Sequence, residues 1–96
     1  MEIQTLSKIT KEEIASLSFT SAEVLNTPEE IEIRWRDLNK GMALGNLHKE
    51  NSRMIFESST GAMYEVEASI WAVTEKNVLL KNGIFIPIRS IHKVIV

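Results

Sequence analysis

From Met63 to Val96 the sequence runs MYEVEASIWAVTEKNVLLKNGIFIPIRSIHKVIV, and its period of two sets the fold class. Val66, Ala68, Ile70 and Ala72 alternate with Glu65, Glu67 and Ser69, the pattern of a strand with one buried face. Trp71 and Val73 fall on the polar face, so the alternation changes character at Trp71, as when a strand bends and both faces become covered. NVLLK predicts the next strand. Asn82 and Gly83 then supply a hairpin turn, because both residue types tolerate the positive φ such turns require. IFIPI returns, Arg89-Ser90 makes a corner, and HKVIV ends the chain.

Upstream, RMIFE from Arg53 to Glu57 reads as one more strand and SSTG as the turn after it. Five short strands with tight connections predict a small barrel, since closure removes unpaired edges.

Before residue 46 the period is helical. Thr-x-x-Glu occurs at Thr10 to Glu13, Thr20 to Glu23 and Thr27 to Glu30, three candidate capping boxes. The third is followed by Pro28 at a first-turn position and by two glutamates that complement the helix dipole. Ile31, Trp35, Leu38 and Met42 lie at i, i+4, i+7 and i+11, which predicts a helix over 28–44 with that stripe buried and Gly45 as its stop. The first two boxes predict short helices at about 11–17 and 21–26. The expected architecture is therefore α+β: one domain over 1–96, with a helical segment (1–45) packed on a five-stranded Sm/SH3-like β-barrel (46–96).

The order of elements, together with VLLKN (Val78 to Asn82) and the ending at Ser90, Ile91, Val94 and Val96, resembles the bacterial Sm-like RNA chaperones and, more loosely, SH3-like barrels. The resemblance covers about a third of the chain. It implies single-stranded RNA as a ligand and a ring of subunits. Where that family carries a Tyr, Lys, His run, this chain has Ile86, Pro87, Ile88, Arg89 and Ser90, and Pro87 removes an amide from the strand that would pair with a ring neighbour.

Composition narrows the function. The 96 residues are 44% hydrophobic and 25% charged, enough to form a core. The absence of cysteine excludes disulfides, thiolate zinc sites and cysteine nucleophiles, and fits a reducing, cytoplasmic setting. No signal-peptide-like run or 18-residue apolar stretch occurs, so no membrane partner is expected. The net charge is −2. Residues 1–45 hold 5 Lys+Arg against 8 Asp+Glu, and residues 46–96 hold 6 against 5, so neither half has the cationic excess that drives nonspecific nucleic-acid binding.

His48 and His92, with Glu50 and Glu57 nearby in sequence, lack the spacing of a metal site, and the four glycines form no phosphate loop. No nucleophile elbow is present. The reading is thus a non-catalytic interaction module with no cofactor, no metal and no small-molecule substrate. Its expected partner is a protein or a second copy of itself, with Arg34, Arg36 and Lys40 as partner-binding candidates. The alternative is single-stranded RNA held by Arg53, Lys81, Arg89 and Lys93. Trp35 and Trp71 are expected to pack near each other in the core.

Overall fold

The computed structural model describes residues 6–96 and is mixed α+β, with one long helix and seven strands in two sheets. In chain order the elements are β1 (Leu6–Ile9), α1 (Lys11–Ile14), α2 (Pro28–His48), β2 (Ser52–Glu57), β3 (Met63–Ala68), β4 (Ile70–Val73), β5 (Asn77–Leu80), β6 (Phe85–Pro87) and β7 (Ile91–Ile95). The larger sheet has the order β1-β3-β2-β7, with β1 parallel to β3 and the other pairs antiparallel. The smaller sheet is β4-β5-β6, antiparallel throughout.

These sheets replace the expected five-stranded barrel, and no closed barrel forms among the described residues. The long strand predicted from Met63 onward divides at Ser69: β3 pairs in one sheet and β4 in the other. Ser69 Oγ lies 3.2 Å from the Glu50 carbonyl and 3.0 Å from Asn51 Oδ1, tying the bend to the end of α2. A further strand, β1, adds to the free edge of β3.

The remaining strand boundaries follow the sequence closely. Asn82 (φ 67°) and Gly83 (φ 74°) both adopt the left-handed conformation that the turn predicted. Pro87 sits at the end of β6, an edge strand, where its missing amide costs no ladder bond to a further neighbour. Ile88–Ser90 form a 3-10 turn, closed by a 2.7 Å bond from the buried Ser90 hydroxyl to the Pro87 carbonyl.

Of the three predicted capped helices, one is realised at length. Thr27 Oγ1 accepts from the Glu30 amide at 3.2 Å and donates to its carboxylate at 3.0 Å, so the threonine hydroxyl caps the start of α2 while the glutamate holds that hydroxyl and not the Thr27 amide. Near Thr10 only Lys11–Ile14 is helical, and its hydroxyl caps no backbone amide. No helix forms over 21–26. There the Glu23 carboxylate binds Arg34 and the Leu25 amide, and the Val24 amide donates to the Arg89 carbonyl at 3.0 Å, drawing the segment out as a strap.

Helix α2 is longer than predicted and rotated. Its buried positions are Arg34, Leu38, Gly41 and Gly45, with the expected i, i+4, i+7, i+11 spacing but a different phase; only Leu38 belongs to both stripes. A Cβ placed on Gly45 would lie 2.7 Å from the Ile70 carbonyl oxygen, and one on Gly41 would lie 2.7 Å from Ser52 Oγ and 2.9 Å from Ile70 Cδ1. The two glycines therefore bring the helix backbone onto the start of β4. Gly45 is a contact point, not a stop. The helix ends at Lys49, which is left-handed (φ 56°) and donates its amide to the Gly45 carbonyl at 3.0 Å.

The core lies between α2 and the two sheets and includes Ile14, Leu38, Met54, Phe56, Val66, Ile70, Val78, Leu80, Ile86 and Ile91. Phe56 stacks at a tilt against Phe19 and Tyr64, with ring centroids 5.6 and 5.8 Å apart. Neither tryptophan is part of it. Trp35 is 46% exposed and Trp71 is 55% exposed, which overturns the expected core pair.

Candidate functional site: a lysine-lined groove and an exposed helix face

Trp71 owes its exposure to a β-bulge. Ile70 pairs with Leu80 and Ala72 with Leu79, so Trp71 is the extra residue on β4. Bulges of this kind bend the strand and re-aim a side chain. Here the indole lines a groove of about 800 Å³ between β1, α1, the C-terminal end of α2 and the β5–β6 hairpin. Lysines from four separate segments converge on it: Lys8, Lys11, Lys49 and Lys81. Glu12, Glu65 and Glu67 are its acidic residues, and Thr10, Asn46, Asn51 and Ser69 its neutral polar ones.

Glu65 is already engaged. Arg53 Nη2 donates to its carboxylate at 2.8 Å, and Lys8 Nζ lies 3.8 Å away. The bond from Arg53 holds the Glu65 carboxyl below the usual glutamate range and raises the guanidinium in turn. Two carboxylates, Glu12 and Glu67, then face four lysines. The groove is locally cationic in a chain whose net charge is −2.

The four cations predicted to form an RNA patch lie in different places. Lys81 is in the groove, while Arg53 is committed to Glu65. Arg89 donates through Nε to the Thr20 carbonyl at 3.0 Å, and Lys93 is an exposed residue on β7. Sequence reasoning missed Lys8, Lys11 and Lys49 as groove residues. A signal for Trp71 was present, the change of alternation there, but a bend and a bulge leave the same trace in a sequence.

The second surface is the outward side of α2. Ile31, Ile33 and Trp35 are each at least 39% exposed. A shallow apolar hollow beside Trp35 is lined by Pro28, Ile31, Arg34, Glu75 and Ile88. Of the predicted partner-binding residues, Arg36 and Lys40 are exposed on this helix and Arg34 is not. Arg34 is only 5% exposed; Nη1 donates to Glu23 at 2.7 Å and to the Ile91 carbonyl at 3.0 Å, and Nη2 pairs with the other Glu23 oxygen. Its role is to fasten the strap and β7 to the helix. That fork also lowers the Glu23 carboxyl below its ordinary range, the hydrogen bond from Arg34 being the largest cause.

The two histidines lie apart from the groove. His48 is exposed at the end of α2. His92 is the extra residue of a second irregularity, between β2 and β7, and its Nε2 is 2.9 Å from Glu57 Oε1. Among the described residues no group of three or more metal-ligating side chains converges, and no helix is long and apolar enough to cross a membrane. No protein-family model, curated protein or solved structure matches the chain.

Proposed function

We propose that the chain is a non-catalytic interaction module that associates with a second copy of itself through the outward side of α2. The observation that carries this reading is Trp35, a large aromatic left half in water on the flank of a helix whose adjoining face is committed to the core. Tryptophan is enriched among the residues that dominate association energies, because it removes much apolar surface from water at small entropic cost.

The charge order along the helix supports a second copy as the partner. Exposed Glu29 and Glu32 precede exposed Arg36 and Lys40. In an antiparallel pair centred on residue 34, Glu32 stands opposite Arg36, and Glu29 falls within one residue of standing opposite Lys40. Such a surface is complementary to itself, as a two-fold interface requires.

The test is light scattering coupled to size-exclusion chromatography across a concentration series. A concentration-dependent dimer is expected. Trp35→Glu and Arg36→Glu each shift it to monomer, and Arg36→Glu combined with Glu32→Arg restores it. A monomer at the highest concentration reached would overturn the reading.

A further inference from the structure

We infer that the groove around Trp71 binds single-stranded nucleic acid, with a base stacked on the indole and the strand's phosphates drawn along Lys49, Lys81, Lys8 and Lys11. This surface is separate from the outward side of α2, so the inference does not rest on self-association.

Four features support it. The indole is exposed because the backbone is bulged at that residue, and folding gains nothing from the exposure. It stands in a concavity of about 800 Å³, which has room for a ligand of a few nucleotides. The four lysines are contributed by β1, α1, the end of α2 and the turn after β5, so they reach the groove that holds the indole from four segments instead of forming one solvated helix face. Glu65, the carboxylate that would repel a phosphate most directly beside Lys8, is neutralised by Arg53.

An aromatic platform within a track of cations is the arrangement by which sequence-tolerant single-strand binders work, since every base offers a π-face and every nucleotide a charge. Asn46 and Asn51 bring side-chain amides to the same groove, able to meet base edges or a sugar hydroxyl. The overall acidity of the chain does not oppose this. Screening confines the relevant charges to about a Debye length, roughly 8 Å at physiological ionic strength, and within the groove lysines outnumber free carboxylates.

A duplex is disfavoured. Its bases are already stacked on one another and present no free face to a lone indole.

The experiment is fluorescence anisotropy of a labelled short oligouridylate with the whole chain, competed in separate arms by unlabelled oligouridylate, uridine monophosphate, a blunt duplex and an oligoglutamate peptide. Binding at low salt is expected, with log affinity falling linearly against log salt at a slope of about −2 to −3 for three or four lysines. Competition should come from oligouridylate and not from the other three. Trp71→Ala weakens binding about 10-fold or more, and Lys81→Glu, at an exposed turn where folding is unaffected, weakens it independently. Lys76→Ala, at an exposed turn outside the groove, leaves it unchanged. Absence of binding at low salt, equal competition by the acidic peptide, binding satisfied by the mononucleotide alone, or retention of affinity in both groove variants would each overturn the inference.

Discussion

Gly45 of α2 and Ile70 at the head of β4 meet backbone to backbone: the space a Cβ would need at Gly45 is taken by the Ile70 carbonyl oxygen, 2.7 Å away, and by its amide nitrogen at 3.3 Å. Neither atom can rotate out of the way, so a side chain here must lift the helix from the sheet. Gly45→Ala should destabilise the fold by about 1–3 kcal/mol through overpacking, despite the roughly 1 kcal/mol that alanine gains over glycine in a helix. Gly41→Ala should cost less, because its neighbours are the side-chain ends of Ser52, Ile70 and Val96. Urea denaturation of both variants gives the order; a Gly41 variant less stable than the Gly45 variant would contradict it.

Arg34→Ala removes the fork that joins Glu23, α2 and the Ile91 carbonyl. Breaking a buried pair costs about 3–5 kcal/mol in general, and because Glu23 keeps 36% of its side chain in water the loss here should fall at or below the lower end of that range. Arg34→Lys should recover only part of it, since an ammonium cannot reproduce a two-pronged contact. Equal stability of the alanine variant and the parent chain would show that the strap at 21–26 is held by other means.

Acid should weaken the fold through the same carboxylates. Glu23 and Glu65 have folded pKa values below their unfolded ones. Their contribution is therefore fully present above the ordinary glutamate pKa of about 4.3 and is lost as pH falls from there through the folded values. Glu23→Gln and Glu65→Gln should each lower stability near neutrality and differ less from the parent at strongly acidic pH. Parallel stability curves for parent and variants across that range would refute the assignment.

The two tryptophans should report their surroundings separately. In dilute solution, Trp35→Phe and Trp71→Phe variants should each show red-shifted emission that iodide or acrylamide quenches readily, as half-exposed indoles do. On concentration, the emission of Trp35 in the Trp71→Phe variant should become shielded while that of Trp71 in the Trp35→Phe variant should not. A blue-shifted, quencher-resistant indole in the dilute monomer would return that residue to the core.

Lys49→Gly should stabilise the chain by about 0.5–1 kcal/mol, because glycine adopts the left-handed cap conformation without the Cβ penalty lysine carries there. The same variant removes a groove cation. It should therefore denature at higher urea while binding oligouridylate less tightly, an outcome a general loss of structure cannot produce.

What could be read from the sequence was local. The period-two segments from Arg53 onward, the Asn82-Gly83 turn and the Thr27-Pro28 start of α2 are set by chemistry within a few residues, and all appear near the expected positions. What could not be read was set at long range. The phase of α2 is decided by a glycine pair resting on Ile70, so the apolar stripe at Ile31 and Trp35 turns away from the sheet although it has perfect helical spacing. Arg34 looked like a solvated charge because Glu23 and the Ile91 carbonyl, its partners, are distant in sequence. The groove was invisible for the same reason, its lysines being scattered from Lys8 to Lys81.

The pairing of β1 with β3 bears on how the molecule is assembled in time. Leu6 meets Met63 and Ile9 meets Val66, partners more than half the chain apart and parallel, so no hairpin can bring them together. Contacts of such separation form late, after the β2–β3 hairpin and α2 have reduced the loop to be closed. A nascent chain emerging from the ribosome would hold β1 idle until β3 had followed it, and that wall of the groove would wait on the β2–β3 hairpin.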